Sequence, residues 1–205
     1  FHPKILLLCS EKEILAIISS ANATPSGILS NQDLITCFYW EQEKKENQAE
    51  IASIFNYIKN FNGWCKEAQE DFNVVQERFD FINKETPSNN ILTAPNDINL
   101  LNQIHKQLID KDKIQEIKIF SPFFDDELKA ISEIENKFKK KIKVFCPQKG
   151  IETSLTNKLP NNVIFYSTDK MSIKSFHAKF YEFNYGDSSI IFWGSANCSY
   201  SALLS

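Results

Sequence analysis

The chain has 205 residues, 42% of them hydrophobic and 24% charged, and a formal net charge of −3. That mix excludes a disordered chain and is long enough for one or two domains with real cores. The acidic balance argues against bulk nucleic-acid binding by charge alone while allowing a local basic cleft. Five scattered cysteines without a CxxC pair argue against a disulfide framework or zinc knuckle and point to the reducing cytosol.

Residues 1–8 read as a strand, and Leu15 to Ser19 as a second one leading into Ser20-Ala-Asn22. Turn chemistry follows at Thr24-Pro-Ser-Gly27, and the β-branched and aromatic run Leu34 to Trp40 predicts a third strand. From Glu43 to about Asn60, Ile51, Ile54, Phe55 and Ile58 recur at a helical period. A second helix is expected from Cys65 to Asn83, with Phe72, Val75, Phe79 and Ile82 on one stripe. Residues 43–96 are therefore read as a helical connector and linker that packs on the segments either side of it.

The remainder alternates. Helices are expected over 97–111, Asp125 to Lys140 and around Ser154 to Leu159; strands over Ile117 to Phe120, Ile142 to Cys146 and Val163 to Tyr166. The acidic start and basic end of the Asp125 to Lys140 stretch suit a helix dipole. The pattern predicts an α/β fold with helices packed on a mixed or parallel sheet. Lys139 to Lys141 and Lys143 read as a solvated helix end, His105 as a surface residue, and Phe123-Phe124 as core rings. The apolar runs Ile5 to Cys9 and Ile190 to Trp193 are too short to span a bilayer.

The chemistry concentrates in a duplicated pattern. His177-Ala-Lys179 precedes Ser195-Ala-Asn197, and His2-Pro-Lys4 precedes Ser20-Ala-Asn22; histidine and asparagine are twenty residues apart in both copies. The chain contains three histidines, and two of them carry this pattern. Residues 20–30 align over 195–205 without a gap. Strand alternation would place the histidine and lysine of each copy on one face, with a serine and an asparagine delivered by the neighbouring strand. Two facing copies supply two imidazoles, two ammonium groups and two amides. That set suits a phosphodiester: lysines and asparagines hold the non-bridging oxygens, one histidine attacks phosphorus, and the other protonates the leaving oxygen. The scheme calls for no cofactor and no metal. The chain begins and ends inside a motif and is read as a piece of a longer protein.

The paired H-x-K and [GS]-S-x-N motifs resemble the phospholipase D superfamily over residues 1–35 and about 97–205. The resemblance implies two pseudo-symmetric α/β/α sheet repeats joined by the helical connector. The first repeat, truncated, spans 1–42, the connector 43–96 and the second repeat 97–205. It implies that His2 and His177 are catalytic, that Lys4 and Lys179 bind phosphate, and that Asn22, Asn197, Ser20 and Ser195 fill the remaining positions. An acidic residue after the asparagine orients the histidine in this family, and Asp33 holds that place. The aspartate that the family carries five residues after the lysine is Cys9 in one copy and Asn184 in the other. Tyrosyl-DNA phosphodiesterases also lack it, which directs the resemblance to a nuclease-like branch. The expected activity is a metal-independent, cytoplasmic phosphodiesterase working through a phosphohistidine. Its expected substrate is nucleic acid, DNA ahead of RNA, in microbial DNA processing or antiviral defence, as a homodimer or within a larger complex. The alternatives are a phospholipase or phosphatidyltransferase, and a catalytically idle nucleic-acid-binding module.

Overall fold

A computed structural model describes residues 4–25, 31–44, 46–61, 64–93, 98–149, 161–170 and 177–205. The chain is mixed α/β, with two sheets and, among the described residues, six α-helices. It divides into two compact units. One comprises residues 1–4, 19–35 and 94–205; the other comprises 5–18 and 36–93.

The second of these units is built on the sheet β1-β2-β3, formed by Ile5–Cys9, Glu13–Ser19 and Ile35–Glu41. β1 and β2 are an antiparallel hairpin. Helices α1 (Gln48–Lys59), α2 (Lys66–Arg78) and α3 (Phe81–Lys84) follow. Ile14 and Ala16 of β2 and Trp40 of β3 share one buried core with Ile51, Ile54 and Phe55 of α1 and with Phe79, Phe81 and Ile82. The connector helices thus pack on the strands that precede them.

The single helix expected over Cys65 to Asn83 is broken at Phe79. Trp40 explains the break: its ring lies 5.2 Å from Phe79 and 4.8 Å from Phe81. Residues two apart do not share a face of a continuous helix, so the chain must leave the helix to apply both rings to one indole.

The other unit holds a five-stranded sheet in the order β6-β5-β4-β7-β8. Its strands are β4 (Glu116–Phe120), β5 (Lys141–Cys146), β6 (Val163–Ser167), β7 (Phe180–Asn184) and β8 (Ser189–Trp193). β4, β5 and β6 run parallel, while β7 and β8 are antiparallel to their neighbours, so the sheet is mixed. Ile117, Ile119, Ile142, Val144, Tyr181 and Phe183 alternate inward and are buried. The apolar positions Leu101 and Ile104 of α4 (Leu100–Gln107), Ala130, Ile131 and Ile134 of α5 (Lys129–Phe138), and Leu203 of α6 (Tyr200–Leu203) are buried too.

Helix α5 starts four residues later than its charge pattern predicts. Asp125 does not enter the helix; its carboxylate accepts the N–H of Lys129 (2.5 Å) and of Ala130 (3.2 Å), capping the first turn from outside. Leu128 takes φ 51° to allow this. His105 lies against Phe138, ring centres 5.4 Å apart. Two lysines of the run at the end of α5 have fixed partners: Lys140 donates to the Asp112 carbonyl (2.8 Å), and Lys143, in the following strand, pairs with Glu116 (2.7 Å). The helix expected around Ser154 to Leu159 lies outside the described residues.

Candidate active site

The two motif copies have the same local construction. Lys4 immediately precedes β1, and Lys179 immediately precedes β7; each strand has five residues and turns back into an antiparallel partner. The partner returns to the lysine. Ser19 donates its N–H to the Lys4 carbonyl (2.9 Å), and Gly194 donates its N–H to the Lys179 carbonyl (3.2 Å). Ser20-Ala-Asn22 and Ser195-Ala-Asn197 follow at once. One compact unit contains Lys4, residues 19–35 and residues 177–205, and so carries the described parts of both copies.

Cys9 and Asn184 are the last residues of β1 and β7, at the turn end. Each lies five residues along the chain from its lysine, roughly 17 Å at about 3.3 Å per residue. Asn184 shapes its turn: its Oδ1 accepts the N–H of Gly186 (2.9 Å), which sits at φ 99°, and its Nδ2 donates to Ser189 (3.3 Å). The departures from the expected aspartate therefore fall at hairpin tips, away from the lysines.

His177 is positioned differently from the expectation. Strand alternation was to set His177 and Lys179 on one face, but β7 begins only at Phe180. The N–H groups of His177 and Ala178 instead both donate to the carbonyl of Gln32 (3.2 and 3.0 Å). The segment after the first copy's asparagine thus holds the second copy's histidine. Its next residue completes the link: His177 Nδ1 lies 3.0 Å from Asp33 Oδ1. A carboxylate oxygen accepts here, so in this contact His177 Nδ1 is the donor.

Asp33 is itself held. Ser20 donates its hydroxyl to Asp33 Oδ1 at 2.5 Å, and the same oxygen of Ser20 accepts the N–H of Leu34 (2.9 Å). Ser20 is fully buried. Its hydroxyl proton is engaged with Asp33, so Ser20 holds the acid in place. Sequence reasoning missed Gln32 and Leu34 because both act through backbone groups.

Lys179 is 1% exposed. Its Nζ donates to the His177 carbonyl (2.6 Å) and lies 3.0 and 3.1 Å from Nδ1 and Nε2 of the His177 ring. Burial, followed by the ammonium of Lys4, pushes Lys179 down to about 8, with Asp33 opposing. Lys4 is also lowered by burial, again against the pull of Asp33. Two ammonium groups and one carboxylate therefore act on one another.

Among the described residues, three buried side-chain atoms lack a hydrogen-bond partner: Asn22 Oδ1, Asp33 Oδ2 and Asn197 Oδ1. All three belong to the motif. Such an atom costs about 1–3 kcal/mol, and folds accumulate this cost where a site needs it. Ser195 is half-buried beside Asn197 in the sequence. His2, and with it the expected approach of the two histidines, lies outside the described residues.

Phe123 departs from its expected place in the core. It is 57% exposed, and its ring stands edge-on to His177 with centres 6.4 Å apart. Phe124 does pack inward, against Phe165 at 5.9 Å.

Neither the protein-family models, nor the curated proteins, nor the solved structures contain a match to this chain.

Proposed function

We propose that the protein is a phospholipase D-like phosphodiesterase acting on nucleic acid through a phosphohistidine. The observation that carries this reading is the contact between His177 and Asp33, which joins the histidine of one motif copy to the acid of the other beside a buried lysine. An imidazole whose Nδ1 proton is directed at a carboxylate presents Nε2 as a nucleophile, and the carboxylate stabilises the charge that develops.

In the proposed reaction His177 Nε2 attacks phosphorus and the bond to the leaving oxygen breaks. The leaving oxygen takes a proton from His2. Lys4 and Lys179 take up the non-bridging oxygens, which draws the Lys179 ammonium off the imidazole and restores its full charge. Water then attacks phosphorus, giving a proton to His2, and the phosphorus–nitrogen bond breaks with its electron pair returning to His177 Nε2. Asn22 and Asn197 supply amide donors to the same oxygens. The chemistry uses no metal. We place the enzyme in the cytoplasm, in DNA processing or defence against foreign DNA, acting as a homodimer or within a larger complex.

The direct test incubates the protein with EDTA against labelled DNA, RNA and phosphatidylcholine side by side. Cleavage of a nucleic acid that survives the chelator and is abolished in both His2→Ala and His177→Ala supports the reading. Turnover of phosphatidylcholine alone would replace it with a phospholipase. Binding of nucleic acid, unchanged in His177→Ala and without cleavage, would make the protein an idle binding module.

A further inference from the structure

The loop after β4 places an aromatic ring at the candidate site and holds it there. Ser121 is fully buried; its hydroxyl donates to the Phe123 carbonyl (2.8 Å) and accepts the N–H of Cys198 (3.0 Å). Phe124 forms a β-bridge with Cys198. Asp125 Oδ2 accepts the N–H of Tyr200 (2.9 Å). Pro122 is buried and restricts the backbone immediately before Phe123. These bonds tie residues 121–125 to the segment that follows Asn197. Between two inward-facing neighbours, Phe123 alone is turned out, 57% exposed, with its ring against His177.

A single exposed apolar ring is ordinary on a protein surface; what sets Phe123 apart is its position, on a loop pinned through Ser121 with its ring edge-on to His177. A ring centre 6.4 Å from the His177 ring lies within one nucleoside of a phosphorus atom that His177 could attack. The segment tied to this loop carries a second open ring, Tyr200 at the start of α6, 51% exposed.

We infer that Phe123 is a substrate-binding residue that stacks on the base flanking the scissile phosphate, and that the substrate is single-stranded nucleic acid. This rests on the phosphodiesterase reading above and adds the substrate class to it. A ring accepts any base through its face, so the contact tolerates sequence, and a base already stacked in a duplex is not free to make it. The fatty chains of a lipid offer no planar partner at that distance from the phosphorus.

The test uses a dinucleoside monophosphate, which contains one scissile phosphate, and its two counterparts lacking one base or the other. Wild type, Phe123→Ala and Phe123→Trp are compared by KM and kcat, with phosphatidylcholine vesicles as a further substrate. Phe123→Ala is expected to raise KM for the two-base substrate about tenfold or more. Phe123→Trp should keep the wild-type value, and the Ala penalty should vanish on one of the abasic counterparts. An unchanged KM in Phe123→Ala, an equal penalty on all three substrates, or a loss confined to the vesicles would overturn the assignment while leaving the phosphodiesterase intact. Failure of the wild type to cleave any of the three nucleotide substrates would instead remove the nuclease reading, and this inference with it.

Discussion

Asp33 and His177 meet at 3.0 Å although 144 residues separate them in the chain. Each comes from a different copy of the duplicated motif, so the acid of the first copy contacts the histidine of the second. Asp33→Asn keeps the shape but presents a neutral amide to Nδ1. It should lower kcat by roughly 10²–10⁴-fold with little change in KM, the range for a displaced acid–base group. Steady-state kinetics on a cleavable oligonucleotide will decide; a loss under threefold would deny Asp33 its orienting role.

Lys179 ties the site to pH. Its folded value of about 8 lies below the ordinary 10.5, a penalty of roughly 3 kcal/mol on the charged form. The unfolded chain therefore binds more protons between those two values, and stability rises with pH across that window. Lys179→Met should raise the melting temperature near pH 7, and the gain should disappear near pH 10.5. Sulfate, an anion that compensates the charge, should stabilise the wild type more at pH ~7 than at pH ~9.5. Thermal melts over pH, with and without sulfate, check both; equal sulfate effects at the two values would argue against anion binding here.

Asn197 carries a buried oxygen without a partner. Replacing it by leucine removes that oxygen and should hold or raise stability by up to about 1 kcal/mol, while abolishing activity. Chemical denaturation measured alongside turnover tests the pair of outcomes. A variant that loses stability would show that the amide is structural.

Asn184 should be replaceable. Aspartate at this position restores the residue the resemblance expects and retains an oxygen for the Gly186 N–H. Asn184→Asp should leave kcat/KM within about twofold, because a full strand separates it from Lys179. A large gain in activity would mean that the hairpin tip communicates with the site.

Ser20→Ala removes one hydrogen bond to Asp33 and leaves the Leu34 N–H unpaired. A loss of about 1–3 kcal/mol in stability is expected. The remaining folded protein should show a lowered kcat, and Ser20→Thr, which keeps the hydroxyl, should restore part of it.

What the sequence by itself determined is local. A lysine, a five-residue strand, a turn and a returning strand that delivers Ser-Ala-Asn form a unit whose spacing is dictated by hairpin geometry, so the duplication could be read directly. The alternation in β4 and the amphipathic stripe of α5 were legible for the same reason: one element's period records which face is buried. Tertiary structure decided the rest. The helix break at Phe79 answers to Trp40, and the late start of α5 to the Asp125 cap. His177 takes its place from the Gln32 carbonyl instead of a strand ladder. Phe123 looked like its neighbour Phe124, yet one ring faces His177 and the other the interior. The partner of Asp33, the burial that lowers Lys179 and the direction of Phe123 depend on contacts between distant segments, and no spacing along the chain encodes which segments will meet.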